Sequence, residues 1–217
     1  MRRLAPLARY ARPGGADDAG ERCQVCAMPL GPRHDHLVDL EARELCCACR
    51  PCALLFVEPG AARGRYRTVP DRVAYDPGFV LDEAVWRLLA IPVRLAFLFH
   101  NSRRRRWVAV YPSPAGATES EPAVEGLHEL AARTPLVSAA EPDVEALLAF
   151  GPRGGGDLEL LLVPITACYE LVAAVRRHWR GLDGGDEARG AVNQVLAGLR
   201  GRRRPLASRA VTQGVHP

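Results

Sequence analysis

Residues 46–52 read Cys-Cys-Ala-Cys-Arg-Pro-Cys, and upstream stands a second small cluster, Cys23-Gln-Val-Cys26. Four thiols in seven residues are more than packing asks for. The full pattern runs Cys23-x2-Cys26, His34-x-His36, then Cys46-Cys47-x-Cys49-x2-Cys52. Two Cys-x2-Cys turns separated by a strand pair are the arrangement that closes a tetrahedron of thiolates around Zn²⁺. Between them, HLVDLEARELCCA has the length and polarity of a hairpin turning near Glu41-Ala42-Arg43. The spacing predicts a zinc-ribbon-like module over residues 21–57.

Cys23 and Cys26 form the natural first ligand pair, and Cys49 and Cys52 the natural second. Cys46 and Cys49 share the same spacing, so a shifted second pair is open, and Cys47 could substitute for one ligand. On a strand Cys46 and Cys47 face opposite sides, so at most one of them reaches a given metal. His34 and His36 share a face of an extended segment. They read as surface or supporting histidines, as a substitute ligand from one of them, or, with Cys46 or Cys47, as ligands of a second site. Four thiolates already complete a closed zinc site.

Iron is the rival metal, because a tetrahedral set of four sulfurs suits both ions. In rubredoxin-type knuckles a glycine usually follows the second cysteine; here those places hold Ala27 and Ala53. That favours Zn²⁺, while the surplus thiols leave an iron–sulfur cluster open.

The 217 residues carry 48% hydrophobic side chains, enough for a packed core, and a formal net charge of +4. All 29 basic residues are Arg, in a chain rich in Ala, Gly and Pro. This composition follows GC-rich codons, so the positive charge argues only weakly for a polyanionic partner. The start, MRRLAPLARYARPGG, lacks an uninterrupted apolar run, and Leu158–Val175 is broken by Glu159, Pro164 and Glu170. A cytoplasmic protein without a membrane span is expected, and in a reducing compartment clustered cysteines are metal ligands or redox groups rather than disulfides.

Four segments follow. Residues 1–20 read as disordered, 21–57 as the Cys/His module, 70–200 as an α+β domain and 201–217 as a flexible tail, with EPGAARGRYRTVPD as a linker before the domain. In the domain, LDEAVWRLLA (81–90) has helical spacing and Val93–Tyr111 reads as a hairpin turning at HNSRRRR. PSPAGATESEP reads as an irregular loop. A helix is expected at 122–133, a second hairpin through GPRGGGD, a helix at 165–180 with Ile165, Cys168, Tyr169, Val172, Val175 and Trp179 inward, and a last helix capped by Asp186. The fold class is α+β: a small zinc-ribbon-like module, then an antiparallel sheet flanked by helices.

Other candidates are weaker. The Arg103–Arg106 run could grip phosphate, or be a solvated turn; no aromatic-basic interleaving stands beside it. GPRGGGD lacks the Lys-Ser/Thr end of a phosphate loop. Ser113 and Thr118 lie in the loop at 112–120 without an assembled base, and His100 and His128 stand alone. Cys168 reads as a core cysteine. No catalytic constellation emerges, so an enzyme is not expected.

The stretches IPVRLAFLFHNSRRRRWVAVYPSPAGATES and LLVPITACYELVAAVRRHWRGLDGGDEA, with CxxC…HxHL…CxCxxCxLLF upstream, resemble an uncharacterised actinobacterial family whose genes lie among those for [NiFe]-hydrogenases and their maturation factors. The resemblance spans residues 21–200; in it Cys47, Cys49 and Cys52 match and Cys46 is extra. It implies a protein partner, a hydrogenase subunit or maturation factor. The expected function is a zinc-binding accessory protein, with an iron-site electron carrier and a nucleic-acid-binding regulator as alternatives.

Overall fold

The computed structural model describes residues 20–206 except 114, 153–155 and 182–183. The segments expected to be loose at residues 1–19 and 207–217, and the centre of GPRGGGD, lie outside the described residues. The chain divides into two compact units, up to Pro70 and from Asp71 onward.

The first unit is built on a hairpin, β1 (Asp35–Asp39) and β2 (Glu44–Ala48), paired antiparallel from Asp35↔Ala48 to Asp39↔Glu44. The turn falls at residues 40–43, where the sequence places it. Asp39 explains why. Its buried carboxylate accepts the Glu41 and Ala42 N–H groups at 2.8 and 3.0 Å, closing the turn. It also accepts Arg65 Nε and Nη2 at 3.0 and 2.7 Å. Burial opposes the charge on Asp39, but Arg65 and the two amides outweigh it and hold the carboxyl below its usual range.

The stretch expected to be a linker belongs to this unit. Its residues Ala61–Gly64 form a 3-10 turn, and β3 (Tyr66–Thr68) adds a third strand beside β1. A sequence this rich in Gly and Arg looks like a linker, but Arg65 is fastened to Asp39 and Thr68 Oγ1 donates to the Ala53 carbonyl at 2.5 Å. The helix α1 (Arg50–Leu54) completes the unit over a small apolar cluster of Leu37, Ala48 and Ala53.

The second unit is a seven-stranded sheet with helices on both faces. Its strands are β4 (Ala74–Tyr75), β5 (Leu95–Asn101), β6 (Arg106–Ser113), β7 (Gly116–Ser120), β8 (Glu145–Phe150), β9 (Glu159–Pro164) and β10 (Arg204–Pro205). The order is β10-β4-β9-β8-β5-β6-β7; the β10–β4 pair is parallel and the rest antiparallel. The register sorts the core into two faces. Ala96, Leu98, Ala109, Leu147, Ala149, Leu160 and Leu162 stand opposite one another on one. They pack against α2 (Glu83–Leu88), α3 (Val124–Arg133) and α4 (Leu136–Ala139) through Val85, Trp86, Leu130 and Leu136. Phe97, Val110, Leu148 and Leu161 line the other, on the side of α5 (Ile165–His178). Burial on both faces explains why β8 and β9 read EALLAF and ELLLVP rather than alternating. The last helix, α6 (Gly185–Arg202), packs along α5.

PSPAGATES is not an irregular loop: β6 runs on through Pro112 and Ser113, and β7 returns beside it to the edge of the sheet. Pro112 is tolerated because it lies near a strand end. Leu171, not Tyr169, lies on the buried side of α5, and Tyr169 is exposed. Gly184, at φ 90°, takes the N-cap of α6 in place of Asp186, which instead pairs with Arg189 in the first turn. A side chain at Gly184 would also meet the Trp179 ring at 3.0 Å. The described part of the expected tail is ordered as well: α6 reaches Arg202, and Arg204 N–H and Leu206 N–H bond to Val73 and Tyr75 carbonyls at 2.9 and 2.8 Å.

Gly126 sets how closely α3 approaches the end of α2. A Cβ there would lie 2.5 Å from the Leu88 backbone. Backbone cannot swing aside as a side chain would, so Gly126→Ala should destabilise the second unit by about 2 kcal/mol or more and lower its Tm by about 5 °C in thermal denaturation. An unchanged Tm would contradict this packing.

Candidate metal centre

The first cysteine pair sits in a tight turn. Arg22 and Pro29 face each other in an antiparallel bridge, Cys23 N–H donates to Met28 O at 2.8 Å, and Ala27 N–H returns to Cys23 O at 2.8 Å. Ala27 has φ 61°, a left-handed conformation that glycine would hold at less strain. Gln24 docks this turn onto β2: its N–H donates to Cys47 O at 2.9 Å, and its Oε1 accepts Cys47 N–H at 2.6 Å.

The second pair is presented differently from the second knuckle that the spacing suggested. Cys49 is the extended N-cap residue of α1, and Cys52 lies in the first turn of that helix. Pro51 between them starts the helix with its φ already set and its missing N–H no loss. Ala53 N–H donates to Cys49 O at 2.9 Å, closing the turn. The module therefore runs knuckle, hairpin, helix.

This brings Cys23, Cys26, Cys49 and Cys52 together, with all four sulfurs within 4.8 Å of one another. Cys26 Sγ and Cys49 Sγ are 3.6 Å apart. A tetrahedral ion with bonds of about 2.3 Å separates its sulfurs by about 3.8 Å, so the four residues fit such an ion. Cys23, Cys49 and Cys52 are buried among Leu37, Ala48 and Ala53, while Cys26 is exposed. Four thiolates so placed would complete a tetrahedral set of the kind that suits zinc or iron.

The thiols differ in acidity. Burial opposes ionisation of Cys23, but amide N–H groups of Cys49, Cys26 and Val25 outweigh it and bring its pKa down to about 6. At Cys49 the Cys52 amide favours the thiolate, but burial and the Cys26 and Cys23 thiols prevail and push it up. Cys52 is pushed up by hydrogen bonding to the Cys49 thiol and by burial. At neutral pH a metal must therefore displace protons from Cys49 and Cys52. The sign follows: those protons compete better as pH falls. Apparent metal affinity should drop about 100-fold or more per pH unit below neutral, as two or more protons are taken up on release. Competitive chelator titrations across that range measure it, and a flat profile would contradict it.

Cys46 and Cys47 lie outside this set, on opposite sides of β2. Cys46 stands opposite Leu37 and packs against the apolar cluster; burial, Asp39 and Glu44 push its thiol up. Cys47 stands directly opposite His36. With His34 these two make a second group whose donor atoms also lie within 4.8 Å of one another. Burial and His34 depress the His36 pKa, and burial and Glu21 raise that of Cys47. The sequence leaves Cys46 and Cys47 equally open as neighbours of the two histidines; the hairpin register selects Cys47.

Among the Arg103–Arg106 run, Arg104 pairs with Glu119 at 3.0 Å and Arg106 pairs with Glu121. The Arg104 N–H is also held by Asn101 Oδ1 at 2.8 Å. His100 stacks edge-on against Trp107. Cys168 is fully buried in α5, and burial raises its thiol well above the ordinary value. No helix among the described residues is long and apolar enough to cross a membrane.

Fold and site define an α+β protein that joins a four-cysteine module to a helix-flanked sheet. The chain belongs to the family of unknown function DUF5947, which matches residues 22–203. No curated protein and no solved structure matches it.

Proposed function

We propose that this chain is a cytoplasmic zinc-binding accessory protein that assists assembly of, or binds to, a [NiFe]-hydrogenase, with no catalysis of its own. The observation that carries the zinc part is the enclosed four-thiol set, three of whose cysteines are buried in the core of the first unit. Ligands so placed hold a module together rather than offer an open position to a substrate. Support for the hydrogenase setting is the likeness of residues 21–200 to a family encoded beside such enzymes.

The test is affinity capture of the tagged full chain from its native host, with metal analysis of the anaerobically purified protein. Co-purification of a hydrogenase subunit or maturation factor with a colourless, zinc-loaded chain supports the reading. Capture of neither removes the hydrogenase part. Visible absorption with stoichiometric iron supports the electron-carrier alternative, which uses the same four sulfurs. Salt-dependent binding to random DNA or RNA supports the nucleic-acid alternative.

A further inference from the structure

His34, His36 and Cys47 share no residue with the four-cysteine set, yet the fold assembles them as carefully. The β1–β2 register places His36 and Cys47 directly across from each other, the closest side-chain neighbours a sheet provides. His34, two residues earlier, faces the same way, and its ring centroid lies 4.7 Å from that of His36. Gln24 clamps the Cys47 backbone through both its amide and its side chain.

The ring of His34 supplies the decisive detail. Its Nδ1 lies 3.0 Å from the Gly31 carbonyl. A carbonyl oxygen only accepts, so Nδ1 carries the proton and the lone pair of the neutral ring sits on Nε2. That Nε2 is buried and has no hydrogen-bond partner among the described residues. The side chain is 8% exposed. A buried acceptor without a partner is costly, and native folds rarely leave one. A histidine whose far nitrogen is tied to a backbone carbonyl and whose near nitrogen is free is oriented as metal-bound histidines are. Glu21 Oε2, 3.6 Å from the same Nδ1, reinforces that orientation.

We propose that His34, His36 and Cys47 form a second metal site, which takes a borderline divalent transition-metal ion of the zinc class through two imidazole nitrogens and one thiolate. Such a mixed set suits zinc and its neighbours and disfavours magnesium or calcium, which take oxygen. On binding, the Cys47 thiol proton leaves to solvent. Three protein donors leave one coordination position of a tetrahedron open. His36 and Cys47 are partly exposed, whereas three of the four cysteines of the first centre are buried. The ion at this site therefore exchanges while that of the first is retained. This inference is independent of any hydrogenase partner.

The experiment is titration of the metal-free full chain with Co²⁺ under reducing conditions, read by absorption and by mass spectrometry under native conditions. Two equivalents are expected, the second removed by a mild chelator that leaves the first. His36→Gln and Cys47→Ser should each bind one equivalent and keep the thiolate-to-cobalt absorption of the four-cysteine centre, which shows that the module is folded. A wild-type chain that binds a single equivalent overturns the proposal, as do folded variants that still bind two. Should both variants fail to fold, iodoacetamide footprinting of the wild type decides. Protection of Cys47 by the second equivalent supports the site, and equal alkylation with one and two equivalents refutes it.

Discussion

Replacing Cys49 with Ser, or stripping the metal with a strong chelator, is expected to unfold the first unit and leave the second standing. The hydrophobic cluster of the first unit is small: Leu37, Ala48 and Ala53 with the cysteines themselves, and Leu30, Cys46 and Phe56 partly covered. A core of that size rarely supplies more than about 3–5 kcal/mol of net stability. Structural zinc contributes about 10 kcal/mol or more to folding in comparable small modules. Losing the ion, or the helix-start ligand that joins the two cysteine pairs, should therefore exceed all the stability the unit has. In the full chain, limited proteolysis should cut within residues 20–70 and spare residues 71–206, and hydrogen exchange should lose protection in β1 and β2. Persistent protection there in metal-free protein would show that the hairpin stands without an ion.

The second large effect is expected at Arg72. Glu145 is fully buried at the start of β8 and accepts Arg72 Nε at 2.6 Å, Arg72 Nη2 at 2.7 Å and the Glu141 N–H at 3.0 Å. The same guanidinium donates to the Ala139 carbonyl at 3.0 Å, so one side chain fastens the start of the unit to the α4–β8 connection. Arg72→Ala leaves a buried carboxylate with one donor. Breaking a buried pair costs about 3–5 kcal/mol. Arg72 is 43% exposed, so water replaces part of what is lost and the lower end applies. Urea denaturation should show a loss of about 3 kcal/mol in the transition of the second unit. The double replacement Arg72→Met with Glu145→Leu should recover most of it, because no charge is then stranded. A loss below about 0.5 kcal/mol, within the range of exposed pairs, would mean that the pair behaves as a surface ion pair.

Both effects act on residues that the sequence presents very unequally. The four cysteines announce themselves by spacing, because a metal needs several donors close together and a Cys-x2-Cys turn supplies two of them. The hairpin turn at residues 40–43 was equally legible, since alternation and turn residues act over a few positions. The α5 helix was read to within two residues at its end, because its apolar period is long. Nothing in the local sequence marks Arg72 or Glu145. An Arg beside Asp71 and a Glu inside a hydrophobic run look like surface charges until the fold places them together from 73 residues apart.

The sequence by itself determined the α+β class and the cysteines that gather in the first unit. All of these rest on local spacing and hydrophobic period. Tertiary structure alone decided the rest. It turned the expected linker into β3, because Asp39 holds Arg65. It made a strand of the proline-rich loop, because β6 offered an unpaired edge. It presented Cys49 and Cys52 from a helix start. It set Cys46 inward and Cys47 across from His36, because a hairpin register assigns each residue its partner and its face, and a shift of one position would have exchanged them.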